Sequence, residues 1–129
     1  MATGFPAATG DVLSAAMYNG LVAFTVNAQT GTTYTTQLTD SYQVLITQSN
    51  ASANDIKIPT NASVAHPIGT VITVLNIGAG TCTISAVTSG TTTILSAGSV
   101  AAQPTLAQYK SAAIIKTGTD SWYVVGGIA

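Results

Sequence analysis

At 129 residues the chain is long enough for one domain with a real core, and only 5% of it is charged, against about a quarter of an ordinary soluble domain. Asp11, Asp40, Asp55 and Asp120 against Lys57, Lys110 and Lys116, with no Arg or Glu, give a net charge of -1, which excludes the phosphate-neutralising surface of a nucleic-acid binder. No apolar run approaches the roughly 18 residues of a membrane-spanning helix, and a single cysteine, Cys82, excludes an internal disulfide or a multi-cysteine metal site.

Thr, Ser, Asn and Gln take the place of charge; they suit a β surface but do little against self-association. Much of the surface outside the core is therefore expected to meet other copies or another protein. The N-terminus lacks the basic stretch that opens a secretory signal, so the protein is expected to be made in a cytoplasm and used where it assembles.

Met1 to Ala8 reads as an extended arm whose one large side chain before Pro6 is Phe5. Thr9 to Gly20 is the one stretch with helical signals: Asp11 or Thr9 as cap, Val12, Leu13, Ala16 and Met17 at helical spacing, and Asn19-Gly20 as stop. Two turns are marginal alone, so this helix is expected to dock on something. Leu21 to Ala28 reads as a strand or connector, followed by strands over Thr33 to Leu38 and Tyr42 to Gln48 flanking a turn at Thr39-Asp40-Ser41. In the second, Tyr42, Val44 and Ile46 alternate with Gln43, Leu45 and Thr47, the period of a strand with one wet face.

The stretch from Asn54 to Ile84 organises the rest. Asp55 to Ile58 and Thr70 to Ile77 are rich in β-branched residues, a loop with Pro59, Pro67 and Gly69 separates them, and Gly78-Ala79-Gly80 reads as a tight hairpin into Thr81 to Ala86. Cys82 alternates with Ile84, as a small buried hydrophobe would. Ser89-Gly90 turns the chain into Thr92 to Leu95, Ser96 to Pro104 is a loop, and Leu106 to Lys116, Thr117-Gly118-Thr119-Asp120 and Ser121 to Val125 form a hairpin. Its last strand sets Trp122 and Tyr123 on opposite faces. Short strands at roughly ten-residue spacing predict a small sandwich or barrel of antiparallel strands with one short N-terminal helix. The arm and helix span residues 1–30 and the β-domain residues 31–129.

Few residues suggest chemistry. His66 is the only histidine, without partners for a metal cluster, and reads as a satisfied loop residue. The aspartates show no paired-carboxylate spacing, and Asp40 and Asp120 stand where turns favour Asp. Asn50-Ala51-Ser52 and Asn61-Ala62-Ser63 match a glycosylation acceptor but read as loop chemistry. Trp122, Tyr123, Tyr42 and Tyr109 could stack on sugars if exposed, although aromatic residues on strands more often serve cores or subunit interfaces. No catalytic, cofactor-binding or metal residue is assigned.

The segments GTTYTTQLTDSYQVLITQSNASANDIKIPTNASVAHPIGTVITVLNIGAGTCTISA and LAQYKSAAIIKTGTDSWYVVGGIA, read in order, resemble a small β-domain of tailed-bacteriophage virion proteins, found in capsid decoration, head fibre and tail fibre proteins. The resemblance covers about Gly31 to Ala129 and departs from the pattern at His66, where an apolar or aromatic residue is expected before Pro67. It implies a structural or host-contact role and no enzymatic activity. The expectation is a homo-oligomer, a trimer by symmetric closure, located on the virion as a capsid decoration protein. It would dock on the major capsid protein or another virion protein through Phe5, Val12, Leu13, Met17 and Tyr18. The alternative is a tail or fibre tip protein that binds a host receptor or glycan.

Overall fold

The computed structural model describes Ala15, residues 24–96 and residues 103–128. Among these lie ten strands: β1 (Thr25–Gln29), β2 (Thr33–Thr35), β3 (Val44–Gln48), β4 (Asn54–Ile58), β5 (Val71–Asn76), β6 (Cys82–Ala86), β7 (Thr93–Ser96), β8 (Thr105–Leu106), β9 (Ser111–Gly118) and β10 (Ser121–Gly126). One 3-10 turn, Leu38–Ser41, separates β2 from β3. The fold is all-β, built of a six-stranded sheet in the order β1-β3-β5-β9-β10-β7 and a four-stranded sheet in the order β2-β4-β6-β8. Apart from Ala15, the helix expected over Thr9 to Gly20 lies outside the described residues, as do Phe5, Val12, Leu13, Met17 and Tyr18.

The expected antiparallel order is corrected. β1, β3 and β5 pair in parallel in one sheet, and β2, β4 and β6 pair in parallel in the other. From β1 to β6 the chain alternates between the sheets, so each circuit lays one strand on each. Parallel neighbours need a long return path, and here that path is the strand and loop of the opposite sheet. Antiparallel pairing enters where β8 joins β6 and β9 joins β5, the expected hairpin is found at β9 and β10, and β7 pairs with β10 in parallel.

Gly78-Ala79-Gly80 is corrected as well: it joins β5 in one sheet to β6 in the other and makes no hairpin. A two-residue hairpin turn needs positive φ, and among the described glycines only Gly69 and Gly126 have it. Glycine is required here for closeness. A Cβ on Gly80 would stand 1.9 Å from the Ser52 carbonyl oxygen, and one on Gly78 2.3 Å from the Asn50 nitrogen. The corners stack: Gly80 N–H donates to Asn50 O (2.9 Å), and the Asn50 side chain donates to Thr30 O (2.8 Å) in the corner before it. Gln29, Gln48 and Asn76 stand in register at the strand ends. The Gln48 amide donates to Gly31 O, and that of Asn76 donates to Gly80 O and Leu106 O. Gly80→Ala is expected to cost about 1–3 kcal/mol through overpacking against backbone that cannot retreat. An unchanged urea midpoint would contradict the stacked corners.

The core fills the space between the sheets. Ile46, Ile72, Val74, Ile114, Trp122 and Val124 come from the larger sheet, and Ile56, Ile58, Cys82, Ile84 and Leu106 from the smaller. Strand alternation sets these inward, as the pattern of buried and less buried residues along β3 and β4 shows. Cys82 is buried as expected, and burial pushes its thiol up to about 11.

Candidate functional site

Alternation gives each sheet an outer face, and the two faces differ. On the smaller sheet, Thr33, Asp55, Thr83 and Thr105 form one outward row and Thr35, Lys57 and Ser85 another. This face is polar and carries charge. On the larger sheet, register places Val26, Leu45, Thr73, Ala113 and Val125 in one outward row across five strands. Beside it run Val71, Ile115, Tyr123 and Leu95, and on the other side Ala28, Thr47, Leu75 and Ser111. These three rows contain no charged residue. Val26 is 58% exposed, and Val71, Tyr123 and Val125 are also exposed.

Leu45 was expected on a wet face. It lies on the outward face as predicted, but its row neighbours are Val26 and the uncharged Thr73, and it is half-buried. A sheet of six strands about 4.8 Å apart and five residues long spans roughly 24 by 17 Å, or about 400 Å² in projection. Thr47, Thr73 and Ser111 interrupt the apolar side chains of these rows, and a largely apolar face of that extent falls in the size range of functional patches on soluble proteins.

A second feature lies inside. Lys116 follows Ala112 and Ile114 on the inward side of β9 and is 1% exposed. Its ammonium donates to Asn61 Oδ1 (2.7 Å) and to His66 O (2.6 Å), and stands 5.7 Å from the Trp122 ring centre. Burial holds its pKa below the ordinary lysine value, with Asp120 opposing. Sequence reading passed over Lys116; its parity with Ala112 and Ile114 was the available signal.

The His66 ring meets Trp122 edge-on, with centres 5.4 Å apart. Its Nε2 is 3.2 Å from Thr36 Oγ1 and its Nδ1 2.5 Å from Ser41 Oγ. Hydroxyls donate or accept, so a neutral ring is satisfied in either tautomer, as expected of a loop histidine. Burial depresses its pKa, Lys116 adds to the effect and Asp40 opposes it. The sign follows: as pH falls through about 6.5 the unfolded chain gains a proton that the folded chain refuses, so stability drops until the folded ring also protonates. The urea midpoint is expected to fall between about pH 7.5 and 5.5, and His66→Gln should flatten that slope. A wild-type midpoint constant across the range would contradict a neutral buried ring.

At the β1 and β2 edge, Asp40 closes the core with a polar plug. Its Oδ1 accepts from the Asn27 amide (3.0 Å), and its Oδ2 from Tyr34 OH (2.6 Å) and the Gln37 N–H (2.8 Å). Burial, with the Asp40 hydrogen bond second, pushes the Tyr34 phenol up to about 12. Over the plug opens a groove of about 630 Å³, lined also by Gln29, Val26 and the 63% exposed Tyr42. Asp120 holds a loop in place: its Oδ1 accepts from the Asn61 N–H (2.8 Å) and Thr92 Oγ1 (3.4 Å).

Of the aromatic residues considered for sugar stacking, Trp122 is buried, while Tyr42, Tyr109 and Tyr123 are exposed. Among the described residues no group of three or more His, Cys, Asp or Glu could hold a metal ion, and no helix is long and apolar enough to cross a membrane. Comparison with protein-family models, curated proteins and solved structures finds no match to the chain.

Proposed function

We propose that the chain is a non-enzymatic structural protein of a bacteriophage particle, a homo-oligomer, trimeric by closure, that decorates the capsid. The observation that carries this reading is the contrast between the two outer faces: one polar and charged, the other uncharged and largely apolar across its three rows. A domain that works alone in water gains nothing from such a face. A domain that works by contact does, and the face suits sister copies in a closed assembly. The resemblance of Gly31 to Ala129 to virion β-domains points the same way. In this reading Phe5, Val12, Leu13, Met17 and Tyr18 meet the major capsid protein or another virion protein. Burying each fully contributes roughly 1.5–3 kcal/mol, and several copies add avidity.

One observation favours a second reading, a tail or fibre tip protein that binds a host glycan. The groove above Asp40 sets the exposed Tyr42 ring among amide and hydroxyl groups, the combination that holds a sugar by stacking and hydrogen bonding. Localisation by electron microscopy on intact particles separates the two. Density over the surface lattice supports decoration, density confined to a tail end supports the tip reading, and absence from the particle overturns both. For the arm, the chain lacking Met1 to Gly20 should stay folded and oligomeric but no longer bind particles devoid of the protein; undiminished binding would remove the arm from the docking role.

A further inference from the structure

We propose that Lys116 and Asn61 are joined by an intramolecular isopeptide bond between the lysine Nζ and the asparagine Cγ. The two side chains already touch, Nζ to Oδ1 at 2.7 Å, across 55 residues of sequence. A C=O bond is about 1.2 Å, so Nζ lies within about 3.9 Å of Cγ, under about 1 Å from a near-attack distance. Lys116 is 1% exposed, and its two hydrogen-bond acceptors, Asn61 Oδ1 and His66 O, are both uncharged. An ammonium buried among neutral acceptors favours loss of its proton, and the depressed pKa of Lys116 agrees in direction. The neutral amine has the lone pair that a nucleophile needs.

The step balances without oxidant, reductant or added reactant. The Nζ lone pair attacks Cγ and an N–C bond forms. The Cγ–Nδ2 bond then breaks, and Nδ2 leaves as ammonia after taking up the proton that Nζ sheds. Asp120 is a positioning residue: its carboxylate accepts the Asn61 backbone N–H at 2.8 Å and so holds the Asn61 side chain against Lys116. The Trp122 ring beside Nζ is apolar and helps keep water from the site. The product would tie the loop after β4 to β9 covalently, where the two are otherwise joined by hydrogen bonds, those of the Lys116 side chain and the backbone pairs of Lys116 with Gly69 and Thr70. A closed loop of that length restricts the unfolded chain much as a disulfide does, in a chain whose one cysteine cannot form one internally.

The test is the intact mass of the purified full chain, followed by peptide mapping. The expected result is the sequence mass less one ammonia, with a branched peptide joining Asn61 to Lys116 and no tryptic cleavage after Lys116. Asn61→Ala and Lys116→Met should each restore the full mass expected for the variant, and Asp120→Ala, which removes the acceptor of the Asn61 N–H, should leave most of the chain without the link. A wild-type chain at full sequence mass overturns the proposal. So does an ammonia loss that maps elsewhere, such as a cyclic imide at Asn19-Gly20. Cross-linking undiminished in Asp120→Ala overturns the positioning role of Asp120.

Discussion

Trp122→Ala is expected to destabilise the protein by about 3–5 kcal/mol, the range for truncating a large buried aromatic residue. Trp122 is the largest fully buried side chain and 1% exposed. Its ring supports the edge-on imidazole of His66 and stands beside the Lys116 ammonium, so truncation opens a cavity and removes one wall of the buried polar cluster. Urea unfolding followed by far-UV circular dichroism measures the loss. Val87, 50% exposed, supplies the comparison: Val87→Ala should stay within about 0.5 kcal/mol of the parent. Equal effects of the two substitutions would contradict the central place of Trp122.

Part of this architecture is legible in the residues. The Thr117-Gly118-Thr119-Asp120 turn between apolar runs marks β9 and β10, the alternation of Trp122 with Tyr123 gives their inward and outward faces, and the pairing of Cys82 with Ile84 places the thiol inside. The parallel circuits are not legible, because a glycine-rich corner that joins two sheets looks in sequence like one that turns within a sheet. What separates them at Gly78 and Gly80 is the approach of the Asn50 and Ser52 backbone, a tertiary fact. The outer face lies between these cases. Val44-Leu45-Ile46, Val71 to Leu75 and Ala112 to Ile115 are nearly continuous apolar runs, the pattern of strands covered on both faces. Reading Leu45 as half of a simple alternation hid that signal. Lys116 was obscured by its charge, which argues for the surface until its parity with Ile114 is considered.

Placing charge on the outer face of the larger sheet should take the proposed oligomer apart. Thr73 stands at the centre of the middle row and Ile115 beside it in the next, both pointing away from the core. In Thr73→Lys with Ile115→Lys, two ammonium groups would lie in an interface whose three rows offer no carboxylate. At roughly 3 kcal/mol for each desolvated and unpaired charge, association should weaken on the order of 10⁴-fold. The monomer itself should keep its fold, because neither side chain fills the core. Matching substitutions on the smaller sheet, Thr33→Lys with Thr83→Lys, enter a face that already carries Asp55 and Lys57 and should leave the oligomer intact. Dissociation by both pairs alike would mean that the contact does not reside on the apolar face.

The most direct measurement is the mass of the purified full chain in solution, by light scattering across micromolar concentrations. An uncharged apolar sheet face turned toward sister copies predicts a discrete species of three chains, each of 12.9 kDa, that persists on dilution through that range. A single chain of 12.9 kDa that stays soluble and unassociated at every concentration would contradict the account.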